Sequence, residues 1–278
     1  MTPFGARLAA ATDARGPLCA GIDPHPALLQ AWGLPDTVAG LERFALGATE
    51  ALAPVVAALK PQSAFFERFG SRGVAVLERV LATAREAGTL SVLDVKRGDI
   101  GSTAQGYAEA YLDPASPLAA DSMTVSPYLG TGSLQPFVDA ARTHGAGVFV
   151  LALTSNPEAP PFQGARTDGG ATVAGSVLAA LRAWNDAEAA PLGSFGAVVG
   201  ATIGRTEEDL DVGGPLLVPG LGAQGGTVAD VRRIFGPAAR LVLASSSREI
   251  LRAGPDRSAL ADAARAVAEQ LAALREPG

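Results

Sequence analysis

The chain has 278 residues, of which 48% are hydrophobic, 18% charged and 5% aromatic, and its formal net charge is −6 at pH 7. Such a composition supports a large buried core and excludes a disordered chain. The acidic balance argues against nucleic acid or an anionic membrane as a partner, because both need a basic surface, whereas an anionic small substrate needs only a few cations gathered locally.

In chain order, residues 1–17 hold no long apolar core of the signal-peptide kind. No uninterrupted apolar run reaches the roughly 18 residues that span a bilayer, so a soluble cytoplasmic protein is expected. The first strand-like run, 18–23, contains the single cysteine, Cys19. No intrachain disulfide can form, a reducing compartment fits, and the apolar setting makes Cys19 a buried structural thiol rather than a nucleophile. A helical pattern over 41–58 runs into a second strand at 57–61, and a helix over 71–87 places Val74, Leu77 and Leu81 on one face. Strand 90–95 is followed by a helix opening at Ser102, with Tyr107 and Tyr111 four apart. Strand 122–127, helix 133–144 and strand 147–153 come next. The longest irregular segment, 157–170, is rich in proline and glycine; a mobile lid and a passive insertion weigh equally there. After it come helix 172–189, strand 196–201, a weak helix at 206–210 cut short by Gly213 and Gly214, strand 215–220, helix 227–235 and strand 240–245. A last helix over 258–274 aligns Leu260, Ala264, Val267 and Leu271.

Short, continuously apolar strands alternating with helices imply a parallel sheet buried on both faces. Eight such units without a linker favour one α/β domain over 1–278, a closed (β/α)8 TIM barrel; spacing alone leaves a doubly wound open sheet standing. In a barrel, chemistry sits at the C-terminal strand ends. The polar residues found there are Asp23, Lys60, Asp94, Lys96, Ser126, Ser155, Thr202, Gln224 and Arg248, taken over the eight strands in order.

The densest cluster is 93–100, LDVKRGDI. Strand alternation puts Asp94 and Lys96 on one face, where opposite charges keep each other ionised. A structural salt bridge would explain that pair, but not a second cation, Lys60, at the same mouth. Buried charge is costly to assemble, which points to function. Glycine-rich 219–226 after strand 7, and Ser245-Ser246-Ser247-Arg248 after strand 8, occupy the usual phosphate position of this architecture. Turn glycines alone would not explain the arginine. The two histidines, His25 and His144, have neither metal-ligand spacing nor a place in a nucleophilic triad; His144 is expected near a helix C-terminus.

Asp94-x-Lys96-x-x-Asp99-Ile100-x-x-Thr103 resembles the signature of the orotidine 5′-phosphate decarboxylase family. The resemblance extends along most of the chain. Asp23, Lys60, Thr154-Ser155-Asn156-Pro157, the 219–226 loop with Gln224, and Arg248 fall in the family's order, and KPQSAFFERFG (60–70) is similar to its longer branch. The segment between Ser155 and Gln224 is longer than in compact members. The resemblance implies decarboxylation of orotidine 5′-monophosphate to UMP, the last step of de novo UMP synthesis, without cofactor or metal. It implies Lys96 as proton donor to C6, Asp94 beside the departing carboxylate, and Lys60 and Asp99 holding the charged array. Substrate contacts would come from Asp23 (ribose), Thr103, Ser155 (pyrimidine), Gln224 and Arg248 (phosphate). It also implies a homodimer with shared active sites.

Two rivals stand beside it. Sugar-phosphate lyases of the same superfamily resemble the strand-3 pattern, but they stabilise an enediolate with magnesium and place an acidic ligand near strand 2, where this chain has Lys60. A non-catalytic nucleotide-sensing barrel could keep Gln224 and Arg248 but would not need both Lys60 and Lys96.

Overall fold

The structure, a computed structural model, describes residues 1–188, 190–222 and 225–275. Eight strands, β1 (Leu18–Ile22), β2 (Ala58–Pro61), β3 (Leu90–Arg97), β4 (Ser122–Val125), β5 (Gly147–Leu153), β6 (Phe195–Val199), β7 (Leu216–Pro219) and β8 (Val242–Ser246), close into a barrel in chain order. β1 pairs in parallel with both β2 and β8, which excludes the open sheet. Every expected strand is present, displaced by two residues at most.

The core has two shells, because alternate residues of a strand face opposite ways. Cys19, Ala58, Val92, Phe149, Val198, Leu217 and Leu243 form one cluster with Phe4 and Leu8. The larger cluster joins residues such as Ile22, Leu59, Leu93 and Val150 to the surrounding helices. Phe4 and Leu8 come from a helix not expected from the sequence, Phe4–Arg15; Phe4 meets Phe149 edge-on at 6.0 Å. Its buried side chains, Phe4, Leu8 and Thr12 at four-residue spacing with Gly5 beside them, make a stripe too narrow to stand out in an alanine-rich segment.

Most crossover helices lie where the periodicity puts them. The last, Arg257–Ala272, buries Leu260, Ala264, Val267 and Leu271 as expected. His144 ends the helix Gln135–His144, also as expected. The first crossover helix is Val38–Leu52, not 41–58: Thr37 caps it by accepting from the Gly40 N–H, and Pro54 cannot continue it. The helix expected at 172–189 is Val173–Asp186; Ala189 lies outside the described residues.

The short helix expected at 206–210 is absent. Thr206, Asp209 and Asp211 side chains accept the N–H groups of Glu208, Asp211 and Gly213, an alternative to helical bonding that hydroxyl and carboxylate residues offer. Segment 157–170 contains one helical turn, Ala159–Gln163, and Gln163 is tied to Thr154 by two hydrogen bonds of 2.9 and 2.8 Å. No described helix is long and apolar enough to cross a membrane.

Candidate active site

β3 carries the charges, and its backbone is irregular where they sit. From Leu93 to Arg97 it advances four positions while β4 advances two, from Met123 to Val125, so Asp94, Val95 and Lys96 together stand opposite Thr124. Within this bulge Lys96 adopts φ +45°, the only positive φ at a non-glycine among the described residues. Asp94 and Lys96 therefore do meet, but through a left-handed backbone at Lys96 rather than by the regular alternation expected.

The Asp94 carboxylate is saturated. Lys96 Nζ donates to Oδ1 at 2.6 Å and the Thr124 hydroxyl donates to the same oxygen at 2.8 Å. Lys60 Nζ donates to Oδ2 at 3.0 Å, and the Gln62 amide nitrogen, turned toward Asp94, reaches that oxygen at 3.0 Å. Four donors fill the four lone-pair positions of a carboxylate. The Lys60 and Asp94 side chains are 8% and 10% exposed, whereas Lys96 is 43% exposed and faces the mouth.

Burial alone would push the Lys60 ammonium down. The Asp94 and Asp23 charges and the hydrogen bond to Asp94 together outweigh it and hold Lys60 above the usual lysine range. For Asp94, burial pushes up, but Lys60 and Lys96 outweigh it and keep the carboxyl well below the usual carboxylate range. Lys60 and Asp94 are thus both charged at neutral pH. Below them, burial pushes the Cys19 thiol up to about 12 despite the nearby Lys60, as befits a structural thiol.

Asp23 follows β1 directly. Its Oδ1 is buried without a partner, as is Oγ of Ser247, which follows β8. The two side chains converge over Gly21, where a Cβ would stand 3.0 Å from Ser247 Oγ and 3.1 Å from Asp23 Oδ2; only glycine leaves that space open. Two orphaned polar atoms on neighbouring strands call for a polar occupant.

After β7, the glycine loop folds on itself: Gly222 N–H donates to Gly226 O, Gly225 N–H to Gly222 O, and Gly226 N–H to Gly220 O. Those three amides are engaged within the loop, and the following helix, Val228–Phe235, is closed by a Thr227–Asp230 capping box. Gln224 lies outside the described residues. Arg248 opens the short helix Arg248–Leu251, is exposed, and pairs with no described residue. Glu249 packs against Gly222.

The other expected site residues are more scattered. Ser155 is exposed at the end of β5, against Gly200. Ser126 donates its N–H to Arg97 O at 2.7 Å, fastening the end of β4 to β3. Thr202 is exposed beyond β6. Asp99 accepts from the Ile100 N–H at 2.8 Å and makes no ion pair with the lysines of its own chain among the described residues; Thr103 is exposed on the first turn of the helix Gly101–Leu112. Among the described residues, no hydrogen bond or ion pair joins either of them to the array. Conversely, Thr124 and Gln62 bond to the Asp94 carboxylate although no sequence pattern singles them out. A threonine inside a strand reads as ordinary β-propensity. His25 caps the helix Pro26–Ala31 and packs edge-on against Phe65. Among the described residues no three His, Cys, Asp or Glu side chains are grouped to hold a metal ion.

The chain matches the model of the orotidine 5′-phosphate decarboxylase / HUMPS family over residues 16–263. A curated relative from Nocardioides sp., described as orotidine 5′-phosphate decarboxylase, is 69% identical over 255 residues, 91% of this chain and 93% of its own. Another of the same description, from Salinispora arenicola, is 62% identical over 276 residues, 99% of each. A solved structure of a candidate orotidine 5′-phosphate decarboxylase from Streptomyces avermitilis matches with TM-score 0.96 at 60% identity, covering 99% of this chain and 96% of that one. The structure of Leishmania donovani OMP decarboxylase matches at TM-score 0.77 and 31% identity, covering 99% of each.

Proposed function

The chain belongs to the orotidine 5′-phosphate decarboxylase / HUMPS family, and from that premise we propose that it converts orotidine 5′-monophosphate and a proton to UMP and carbon dioxide. The observation that carries this reading is the Lys60–Asp94–Lys96 array at the C-terminal mouth of the barrel. An enediolate-forming lyase would need an acidic metal ligand where Lys60 stands.

In the proposed reaction the bond between C6 and the carboxylate breaks, carbon dioxide leaves, and the electron pair remains on C6. Lys96, the exposed cation of the array, faces that carbon, stabilises the developing negative charge and transfers a proton from Nζ to C6; solvent then reprotonates Lys96. Asp94 can do neither of two things a carboxylate often does. Held strongly ionised, it is no acid, and with all four lone-pair positions occupied it accepts no further hydrogen bond. Its part is to fix both lysines. Lys60, buried and paired with Asp94, keeps the array cationic for an anionic substrate.

Asp23 is assigned to the ribose, supported by its unpartnered buried oxygen. Arg248, exposed and without an ion pair among the described residues, is assigned with Gln224 to the phosphate, and Ser155 to the pyrimidine. Binding energy from the phosphate, remote from C6, is then available to organise the reacting end.

Asp99 and Thr103 are assigned to the neighbouring site of a two-fold dimer. The lack of an ion pair between Asp99 and the lysines of its own chain among the described residues supports this, as do the apolar side chains of Ile100 and Leu129, exposed by 62% and 52% on the loops that leave β3 and β4. The direct test is UMP formation from orotidine 5′-monophosphate by the purified protein, with Lys96→Ala beside it. No turnover by the wild type would reject the activity, and turnover by folded Lys96→Ala would reject the proton donor.

A further inference from the structure

Thr124 is buried in β4, 1% exposed, directly opposite the β3 bulge. A hydroxyl has one donor and two acceptor positions, and Thr124 directs all three at residues 94–96. Its Oγ1 accepts the backbone N–H of Val95 at 3.0 Å and of Lys96 at 2.9 Å, and donates to Asp94 Oδ1 at 2.8 Å. The two amides belong to the bulge, where three residues of β3 face one of β4 and regular ladder pairing lapses. Left unpaired, buried amides would oppose the bulge, and a left-handed lysine persists only where its surroundings enforce it. The third bond reaches the same carboxylate oxygen that receives Lys96 Nζ at 2.6 Å. One oxygen atom thus holds Lys96 twice, by its own amide and, through Asp94, by its ammonium.

We propose that Thr124 is a positioning residue for the decarboxylation: its hydroxyl sets the left-handed backbone at Lys96 and the orientation of Asp94, and so the point from which Lys96 meets C6. This rests on the reading of Lys96 as proton donor. Thr124 itself touches no reacting atom. A packing role would be served equally well by valine, which has the same shape without the hydroxyl.

The test compares four substitutions, Thr124→Ser, Thr124→Ala, Thr124→Cys and Thr124→Val, by kcat and KM for orotidine 5′-monophosphate and by thermal unfolding. Serine and alanine both lack the γ-methyl, so their difference isolates the hydroxyl. The variants without a hydroxyl should lose on the order of 100-fold in kcat, the scale of a misplaced catalytic group, with KM within about threefold. Thr124→Ser should recover at least about tenfold over Thr124→Ala. Equal kcat for the serine and alanine variants, or kcat near wild type in Thr124→Val, would overturn the proposal. So would folding of the serine variant alone, which would make the hydroxyl a requirement of the fold. Lys96→Ala separates the two readings. Turnover retained there removes Lys96 as donor whatever Thr124 does, whereas an inactive Lys96→Ala with equal serine and alanine variants removes only the positioning role.

Discussion

Asp94→Asn keeps the shape of the side chain and removes its charge, and the consequence can be worked out for stability as well as for activity. Lys60, 8% exposed, has its largest attraction in Asp94, 3.0 Å away; without it, burial dominates and the Lys60 ammonium drops below the usual lysine range. Breaking a buried pair from one side typically costs about 3–5 kcal/mol, which lowers Tm by on the order of 10 °C in a chain of this size. The sign of the pH dependence is more diagnostic than the size. In the wild type Asp94 is depressed and Lys60 raised. Their contribution is therefore fully present between the unfolded values of about 3.9 and about 10.4. It fades only as pH falls through the depressed Asp94 value or rises through the raised Lys60 value. In the variant the folded state prefers Lys60 neutral, so the unfolded chain binds more protons. Stability relative to wild type should then rise with pH below about 10.4, by up to about 1.4 kcal/mol per pH unit. Thermal unfolding of both proteins from pH 6 to 9.5 measures this as a difference curve. A difference that is flat, or that falls with pH, would show that Asp94 does not hold Lys60 charged.

Arg248→Ala should weaken binding of UMP far more than binding of uridine, measured by calorimetry; equal losses would place Arg248 away from the phosphate. Turnover should survive exhaustive chelation, and loss with rescue by magnesium would favour the sugar-phosphate lyase alternative. Lys96→Ala and Asp99→Ala, each inactive alone, should regain about a quarter of wild-type activity when dissociated and reassociated together, because half the dimers are mixed and each mixed dimer has one intact site. A mixture that stays inactive, with exchange verified by mass spectrometry, would place Asp99 in its own subunit's site.

The barrel was legible because its strands are buried on both faces and so read as unbroken apolar runs, from 18–23 to 240–245. Lys60, Asp94 and Lys96 stood out as charges ending such runs. The means by which they meet was not legible. Strand alternation has no place for a bulge, and the hydroxyl that closes it belongs to another strand, 28 residues from Lys96 in sequence. Helix 206–210 misled because its polar residues bond to their own backbone, a competition that periodicity does not register. The N-terminal helix was missed for the opposite reason, since its contribution to the core is one aromatic and one leucine set against Phe149 and its neighbours. For Asp99 the limit is of another kind. Sequence places it just past β3, but in the proposed dimer its destination would be set by a second chain, a contact that periodicity within one chain does not register.

Closure of the barrel adds an argument that no single residue supplies. Arg248 follows β8, Asp23 follows β1, Lys60 lies on β2, and Asp94 and Lys96 lie on β3. In the closed sheet these are four consecutive strands, because β8 pairs with β1. Around the mouth the order is an exposed guanidinium, a carboxylate oxygen without a donor among the described residues, and then a cationic array. A nucleotide presents its groups in the same order: a phosphate needing a cation, ribose hydroxyls needing an acceptor, and a base whose carboxylate needs positive charge. The orphaned Asp23 Oδ1 and Ser247 Oγ fall at the β8–β1 junction, between the expected phosphate and the array, where a hydroxyl-bearing sugar would have to pass. In a chain of net charge −6, concentrating Lys60, Lys96 and Arg248 on this arc makes the mouth locally attractive to an anion that the rest of the surface repels. A sugar phosphate without a base would leave the β2–β3 end of that arc unused, and a free base would leave the β8 end unused. The spacing of charge around the barrel thus favours a whole nucleotide as the substrate.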